Sequence, residues 1–528
     1  MRSVMSHQFS EVPHANIPRS SFDRSHGIKT TVDGDILAPI YVDEALPGDS
    51  FNLKLTAVSR MNTPLYPLMD NVFMEHFFFA VPIRLLWDNW EKFCGAQDNP
   101  GDSIDFTIPT QTHTGGGWGE NSLEDYMGIP TKVNNLTINA LHGRAYSLIW
   151  NEWFRDQNLQ NSITVATGNG PDGQNAHLIQ TRGKRHDYFT SCLPWPQKGD
   201  SIDLPLGTDA PVTGIGKRNQ TYTAVNQTVY ETDGTGTVTY NPQQVIAGTA
   251  GVNTEYYVEE DPNNSGFPNI RADLSNATAA TINQLRQSFQ IQKLMERDAR
   301  GGTRYTEIIR SHFGVTSPDF RLQRPEFLGG GSSMVQVQQV PQTSSTDGTS
   351  PQGHLAAFAT AQESSAGFVK SFTEHCVIIG LVNFRADITY QQGLNRMFSR
   401  QTRYDYYWPS LSQIGEQAVL NGEIYAQGTA TDQNVFGYQE RYAEYRYKPS
   451  QITGRFRSNA TTPLDPWHLS EDFSALPVLN SSFITASSPW DRVVAVTTEP
   501  DFIYDGYINL RCARPMPLYG VPGMIDHF

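Results

Sequence analysis

Phe51, Leu53, Leu55 and Ala57 alternate with Asn52, Lys54 and Thr56, the period-two pattern of a strand with one buried and one wet face. Val72 to Ile83 (VFMEHFFFAVPI) is apolar on both parities, which predicts a strand lying between two layers. Phe368 to Ile388 contains the run CVIIGLV with Phe372 alternating before it and predicts the deepest strand. Ile503 to Cys512 alternates imperfectly into a last strand, and a short apolar stretch, Ile36 to Val42, precedes a turn at Pro47-Gly48-Asp49. Helical spacing is carried by Trp87, Trp90 and Phe93 within Leu85 to Cys94, and by the apolar face of Ala140 to Asp156. It returns over Thr281 to Arg297 and over Arg304 to Phe313, where Gly314 supplies a stop.

Between these elements the pattern breaks in an informative way. Asn99 to Gly119, Gly329-Gly330-Gly331 and the polar Gln336 to His354 predict long loops. Arg182 to Gly199 (RGKRHDYFTSCLPWPQKG) concentrates a basic cluster, aromatic residues, Pro194 and Pro196 in one span. The two prolines hold the chain extended there. Two readings stay open: a scaffold strand handing over to an excursion, or a plain proline-rich loop.

The following Asp200 to Asn276 is rich in Thr, Asn, Gly, Asp and Val, with alternating runs at Thr235 to Tyr240 and Glu255 to Val258. It predicts a β-rich insertion with its own small core. Met1 to Ser25 lacks periodicity and reads as an arm, and the tail RPMPLYGVPGMIDHF has too many prolines for a sheet centre. The expected division is an arm over 1–25, scaffold over 26–202, an insertion over 203–281, scaffold again over 282–514, and an extended tail over 515–528.

Composition agrees with a mainly β protein: of 528 residues only 18% are charged, against 43 Gly, 32 Pro, 23 Tyr and 27 Phe. The formal net charge of -15 excludes a molecule built as a whole to neutralise phosphate, so any nucleic-acid contact must come from local basic groups. Arg19 and Arg24 of the arm are the candidates for such contact. The four cysteines, Cys94, Cys192, Cys376 and Cys512, form no Cys-x-x-Cys pair and predict buried, reduced thiols. The amino terminus lacks the apolar core of a signal peptide and no apolar run is long enough to cross a bilayer, which predicts a chain made and kept in a cytoplasm.

Several motifs suggest chemistry and then fail its spacing. Glu75 and His76 are adjacent like a catalytic pair, but a satisfied polar pair at a strand end accounts for them. Gly115-Gly116-Gly117 has no lysine at phosphate-loop spacing. Glu259, Glu260 and Asp261 lack the spacing of a calcium loop and read as a solvated acidic turn. Arg297, Arg300, Arg304 and Arg310 fall along the paired helices and suit either phosphates or, the favoured reading, a solvated or salt-bridged face. No catalytic residue, cofactor or metal ligand is expected. A sandwich enzyme or lectin would need two carboxylates facing one cleft, and a fibre would need repeats, which the sequence lacks.

The segments RGKRHDYFTSCLPWPQKG, FGVTSPDFRLQRPEFLGG, IGEQAVLNGEIY, VFGYQERYAEYRYKPSQITGRFRS, LDPWHLSEDF and LYGVPGMIDHF resemble the capsid proteins of the small single-stranded-DNA bacteriophages, the Microviridae, of the gokushovirus type. They run from the middle to the end of the chain, with looser similarity before them. The resemblance implies a single eight-stranded jelly-roll sandwich with long loops, a few helices and one large surface insertion rising as a three-fold protrusion. It implies self-assembly into a T=1 icosahedral shell around a circular single-stranded DNA genome, without catalysis. The implied partners are identical subunits, a small basic DNA-binding protein, a DNA pilot protein, the genome and a host cell-surface receptor. The implied locations are the virion and, during assembly, the bacterial host cytoplasm.

Overall fold

The computed structural model describes residues 18–202, 282–348 and 351–519, together with the backbone of six short strands between 203 and 281. Contacts divide the chain into two compact units, Met1–Pro196 with Ala299–Phe528, and Gln197–Asp298.

The larger unit is a sandwich of antiparallel sheets. In chain order its main strands are β1 (Ser20–Asp23), β2 (His26–Val32), β3 (Ala38–Ala45), β4 (Ser50–Met61), β5 (Val72–Pro82), β6 (Glu326–Met334), β7 (Gln336–Pro341), β8 (Leu355–Glu363), β9 (Gly367–Ser371), β10 (Cys376–Ala386), β11 (Glu416–Leu420), β12 (Val435–Glu440) and β13 (Phe502–Arg514); a separate short ladder pairs Thr110–His113, within the expected loop Asn99 to Gly119, with Leu136–Asn139. One sheet runs β1-β13-β4-β8-β7, with β2 also on β13 and β9 also on β4; the other runs β6-β5-β10-β3. The longest pairing, β13 with β4, extends from Phe502 opposite Met61 to Ala513 opposite Ser50.

Burial follows the alternation. Along β4, Phe51, Leu53, Leu55, Ala57 and Met61 are buried while Asn52, Lys54, Thr56 and Arg60 are exposed. They meet Val72, Met74, Phe78 and Ala80 of β5 and Ile378, Val382 and Phe384 of β10 in one core shared by the two sheets. Phe384 stacks on Phe502 across it, with ring centroids 3.9 Å apart. All eleven residues of β10 are buried.

The other parity of β5 and β10 accounts for their doubly apolar sequences. Phe79, Val81, Val377, Ile379 and Leu381 face a second core, made with Trp87, Leu123 and the helix α1 (Leu141–Ile149) through Leu141, Ala145, Tyr146 and Ile149. The second sheet therefore lies between the first sheet and a layer of helix and loop. A third core gathers Tyr188, Phe189, Cys192, Tyr390, Val419, Ile424, Phe436 and Phe483 beside the β11–β12 ladder.

Several expectations are corrected. Gly329-Gly330-Gly331 is not a loop but part of β6, and Gln336 to Pro341 is the strand β7. The glycines permit close approach: a Cβ on Gly330 would fall 2.3 Å from the His76 carbonyl oxygen, and one on Gly329 2.3 Å from that of Gly367. Absence of side chains there is a packing requirement, which resembles loop composition in sequence. The arm begins packing earlier than residue 25, because Ser20 to Asp23 pairs with Arg514 to Arg511. Cys94 is exposed, unlike the other three thiols. Helix Ile282–Gly301 runs further than Arg297, and helix Tyr305–Phe313 ends at Gly314 in the left-handed conformation, φ 70°.

Within the smaller unit, Val212–Thr213 pairs with Arg271–Ala272, Ile215–Lys217 with Tyr256–Val258, and Gln227–Tyr230 with Thr237–Tyr240, all antiparallel. The acidic turn Glu259 to Asp261, residues 1–17 of the arm and the tail after Tyr519 lie outside the described residues.

Candidate assembly and nucleic-acid surfaces

Arg19 and Arg24 flank the first strand at one end of the first sheet. Arg19 Nη2 donates to Ser50 Oγ at 2.8 Å. Arg24 donates twice to the Asp43 carboxylate, at 2.5 and 3.0 Å, and Tyr41 Oη donates to the same group at 2.7 Å. The geometry is bidentate, the strong form of a guanidinium–carboxylate contact. Arg24 thus latches the start of the sheet onto β3, while Arg19 keeps its charge without a carboxylate in these hydrogen bonds.

The basic cluster of Arg182 to Arg185 is absorbed by the scaffold. Arg182 pairs with Glu75 and lies over the rings of Phe77 and Phe154, at 4.8 and 5.7 Å. Arg385 shares Glu75 at 3.0 Å. Lys184 pairs with Glu471 at 2.6 Å and lies over Phe483, and Arg185 pairs with Asp387. The segment then buries Tyr188, Phe189 and Cys192 in the third core. It works as a clamp from the central strands β5 and β10 of the second sheet to that core. Among the helix arginines, Arg300 pairs with Glu416 and Glu440, and Arg304 with Glu307. Those two belong to a salt-bridged face, while Arg297 and Arg310 are exposed.

Glu75 and His76 point to opposite faces of β5. His76 is fully buried, its Nε2 3.0 Å from Tyr504 Oη in the sandwich core, so the two do not act on one substrate. A different constellation, united by no spacing in the sequence, has the connectivity of a hydrolytic triad. Ser147 Oγ lies 2.9 Å from His177 Nδ1, and His177 Nε2 lies 3.3 Å from Asp172 Oδ2. Arg144 clamps Asp172 with bonds of 2.8 and 2.6 Å and donates to the carbonyls of Leu86 and Gly168. Burial raises the Asp172 pKa, but the hydrogen bond and charge of Arg144 outweigh it and hold the carboxyl below its ordinary range; burial lowers that of His177. Arg144 is 0%, Ser147 1% and His177 1% exposed. A nucleophile sealed in this way reaches no substrate; the group is a satisfied buried network that pins α1 to its neighbouring loops. Among the described residues no group of three or more His, Cys, Asp or Glu could hold a metal ion, and no helix is long and apolar enough to cross a membrane.

Among the described residues a further exposed aromatic surface lies elsewhere. Phe398, Tyr404, Tyr406, Tyr407 and Trp408 are exposed, as are Tyr445 and Tyr447 of a second segment. Tyr407 joins the segments, its ring centroid 5.2 Å from that of Tyr442 and 6.4 Å from that of Tyr445. Arg400 lies over Tyr445 at 4.2 Å, and Arg403 over Trp408 at 4.6 Å. An exposed aromatic surface of this extent marks an interaction site. Its sequence signal was readable, since rings and arginines interleave through FSRQTRYDYYWP.

Comparison with known proteins places the chain in a family. The model of the capsid protein (F protein) family matches residues 10–524. Capsid protein VP1 of Bdellovibrio phage phiMH2K is 50% identical, the alignment covering 99% of this chain and 98% of the relative. Capsid protein VP1 of Chlamydia phage 1 is 45% identical over 99% and 98%, and that of Spiroplasma virus 4 is 38% identical over 98% and 97%. With similarity running the full length of the chain, this protein belongs to the capsid protein (F protein) family of the small single-stranded-DNA bacteriophages, the Microviridae of gokushovirus type.

Proposed function

We propose that this chain assembles with identical copies into a closed T=1 icosahedral shell that encloses a circular single-stranded DNA genome. The observation that carries the reading is full-length similarity to capsid proteins in a chain whose strands fall into the orders β2-β13-β4-β8 and β3-β10-β5-β6. Those two orders support the reading of an eight-stranded jelly roll, with β1, β7 and β9 as additions. Such a sandwich makes a stiff wall, and its long loops supply contact area.

In this reading 203–281 is the insertion that rises as a protrusion and meets a host cell-surface receptor. Its support is the compactness of Gln197–Asp298 as a unit of its own. The tail over 515–528 and the first residues of the chain lie on neighbouring subunits. Arg19 and Arg24 face the genome, Arg19 with more of its charge to offer because Arg24 is engaged with Asp43. With a net charge of -15, the shell leaves most of the DNA charge to a small basic protein, and a pilot protein completes the virion. Assembly takes place in the bacterial host cytoplasm. The protein has no enzymatic role.

Electron cryomicroscopy of particles from producing cells tests this reading. Closed shells of one size with sixty copies, as T=1 symmetry requires, are the expected result; open sheets, rods or free monomers would overturn it. Crosslinking of packaged DNA should recover peptides containing Arg19.

A further inference from the structure

The exposed rings of Phe398 to Trp408 and Tyr445 to Tyr447 need a partner, and their chemistry selects one. Residues 394–414 and 440–457 together carry eight basic and three acidic side chains in a chain whose net charge is -15. Tyr, Trp, Phe, Met and Arg are the residues that dominate protein–protein hot spots, and all five occur here. Single-stranded DNA could also use rings and guanidiniums. However, base stacking needs free ring faces, and here Arg400 lies over Tyr445 and Tyr406 while Arg403 lies over Trp408. Arg400 is also paired with Glu444 at 3.3 Å, so the exposed Arg403 and Lys448 supply the cationic edge that suits carboxylates.

The same chain offers the complement. Residues 88–125 carry eight acidic side chains against one lysine, Lys92. Asp88, Glu91, Asp98, Asp105 and Glu120 among them are exposed, and so are the apolar Phe93 and Ile104. Parts of this segment, Leu123 and the partly buried Phe106 and Ile108, pack into the second core, so the acidic groups ride on the layer that covers the second sheet. The basic and acidic surfaces are different regions of one molecule. A contact between them on successive copies is heterologous, the kind that closes into rings when the rotation allows.

We propose that the aromatic and arginine surface of 394–457 is a subunit contact that docks on the acidic 88–125 layer of a second copy of this chain. This rests on the reading that the chain builds a shell. Opposite charge at this contact offsets the mutual repulsion of identical acidic subunits and fixes which faces meet.

The test is particle yield on sucrose gradients from cells making the complete set of phage proteins. Arg403→Glu/Lys448→Glu is expected to cut yield about tenfold or more, as loss of a hot-spot contact does, while the isolated subunit keeps its thermal midpoint. Tyr404→Ser, at a 66% exposed position, should act in the same direction. Adding Glu91→Lys/Asp98→Lys to the first variant should restore particles by reversing both charges. Normal yield from the charge variant overturns the proposal, as does failure of the reversed pair to recover. Normal yield with reduced DNA content, or loss of binding to a short oligodeoxythymidylate, would instead assign the surface to the genome. Absence of particles from the unaltered chain would overturn the shell reading itself, which separates the two failures.

Discussion

Two buried residues show how polar groups are tolerated inside this sandwich. Arg144 is fully buried, and its guanidinium is matched by the Asp172 carboxylate and two carbonyls. Removing one member of such a pair leaves the other charge buried and unpaired, which costs about 3–5 kcal/mol. Arg144→Met should therefore lower unfolding stability by that order in denaturant titration, and Arg144→Met/Asp172→Asn should recover part of the loss. Equal loss in both variants would mean that packing around the side chain, not its charge, sets the cost. His76 makes a complementary case. Burial lowers its pKa from 6.5 to about 4, against a smaller opposing pull from Glu363. The unfolded chain takes up a proton below 6.5 that the folded chain refuses until about 4. Stability present above 6.5 is thus lost as pH falls through that window, on the order of 3 kcal/mol. Burial also raises Asp501 to about 6 from 3.8, and this contributes with the opposite sign between those values. Comparing the native chain with His76→Gln isolates the histidine: the difference in unfolding free energy should shrink as pH drops from 6.5 to 4, and a constant difference would exclude the account.

Strands and helices differ in how far their sequences disclosed them. β4 was legible because one face is wet and the alternation survives. β5 and β10 were legible as buried, and the reason for their two apolar parities is that each parity belongs to a different core. The edge strand β6 was missed, because three consecutive glycines read as a loop when the fold uses them for clearance against the His76 and Gly367 carbonyls. The Ser147–His177–Asp172 network was also illegible, since its members come from a helix and a distant loop with no spacing to unite them. Clearance gives a prediction at this scale. Gly330→Ala places a methyl against backbone that cannot rotate away, and overpacking of that kind costs about 1–3 kcal/mol. The same change at Gly348, where a Cβ meets nothing within 4 Å, should leave the thermal midpoint nearly unchanged. Similar midpoints for the two variants would show that β6 shifts freely along its edge.

At the scale of the whole chain, the question is whether the wall depends on what is inserted in it. The described residues of the three cores lie before Gln197 and after Ala299, in the two parts of the larger unit. Gln197–Asp298 is a compact unit of its own, so removal of 203–281 should leave the sandwich folded. Replacing a long excursion by a short linker changes loop-closure entropy by only about 1–2 kcal/mol, because that cost grows with the logarithm of length. A variant joining Leu204 to Thr281 through a short Gly/Ser linker should therefore unfold at nearly the native temperature. It should also yield particles, with fewer of them if 203–281 contributes to subunit contacts. If the insertion carries receptor binding, those particles fail to adsorb to the host, measured as unbound particles after mixing with cells. Full adsorption would move receptor binding to another part of the shell, and an unfolded subunit would show that the wall needs the insertion after all.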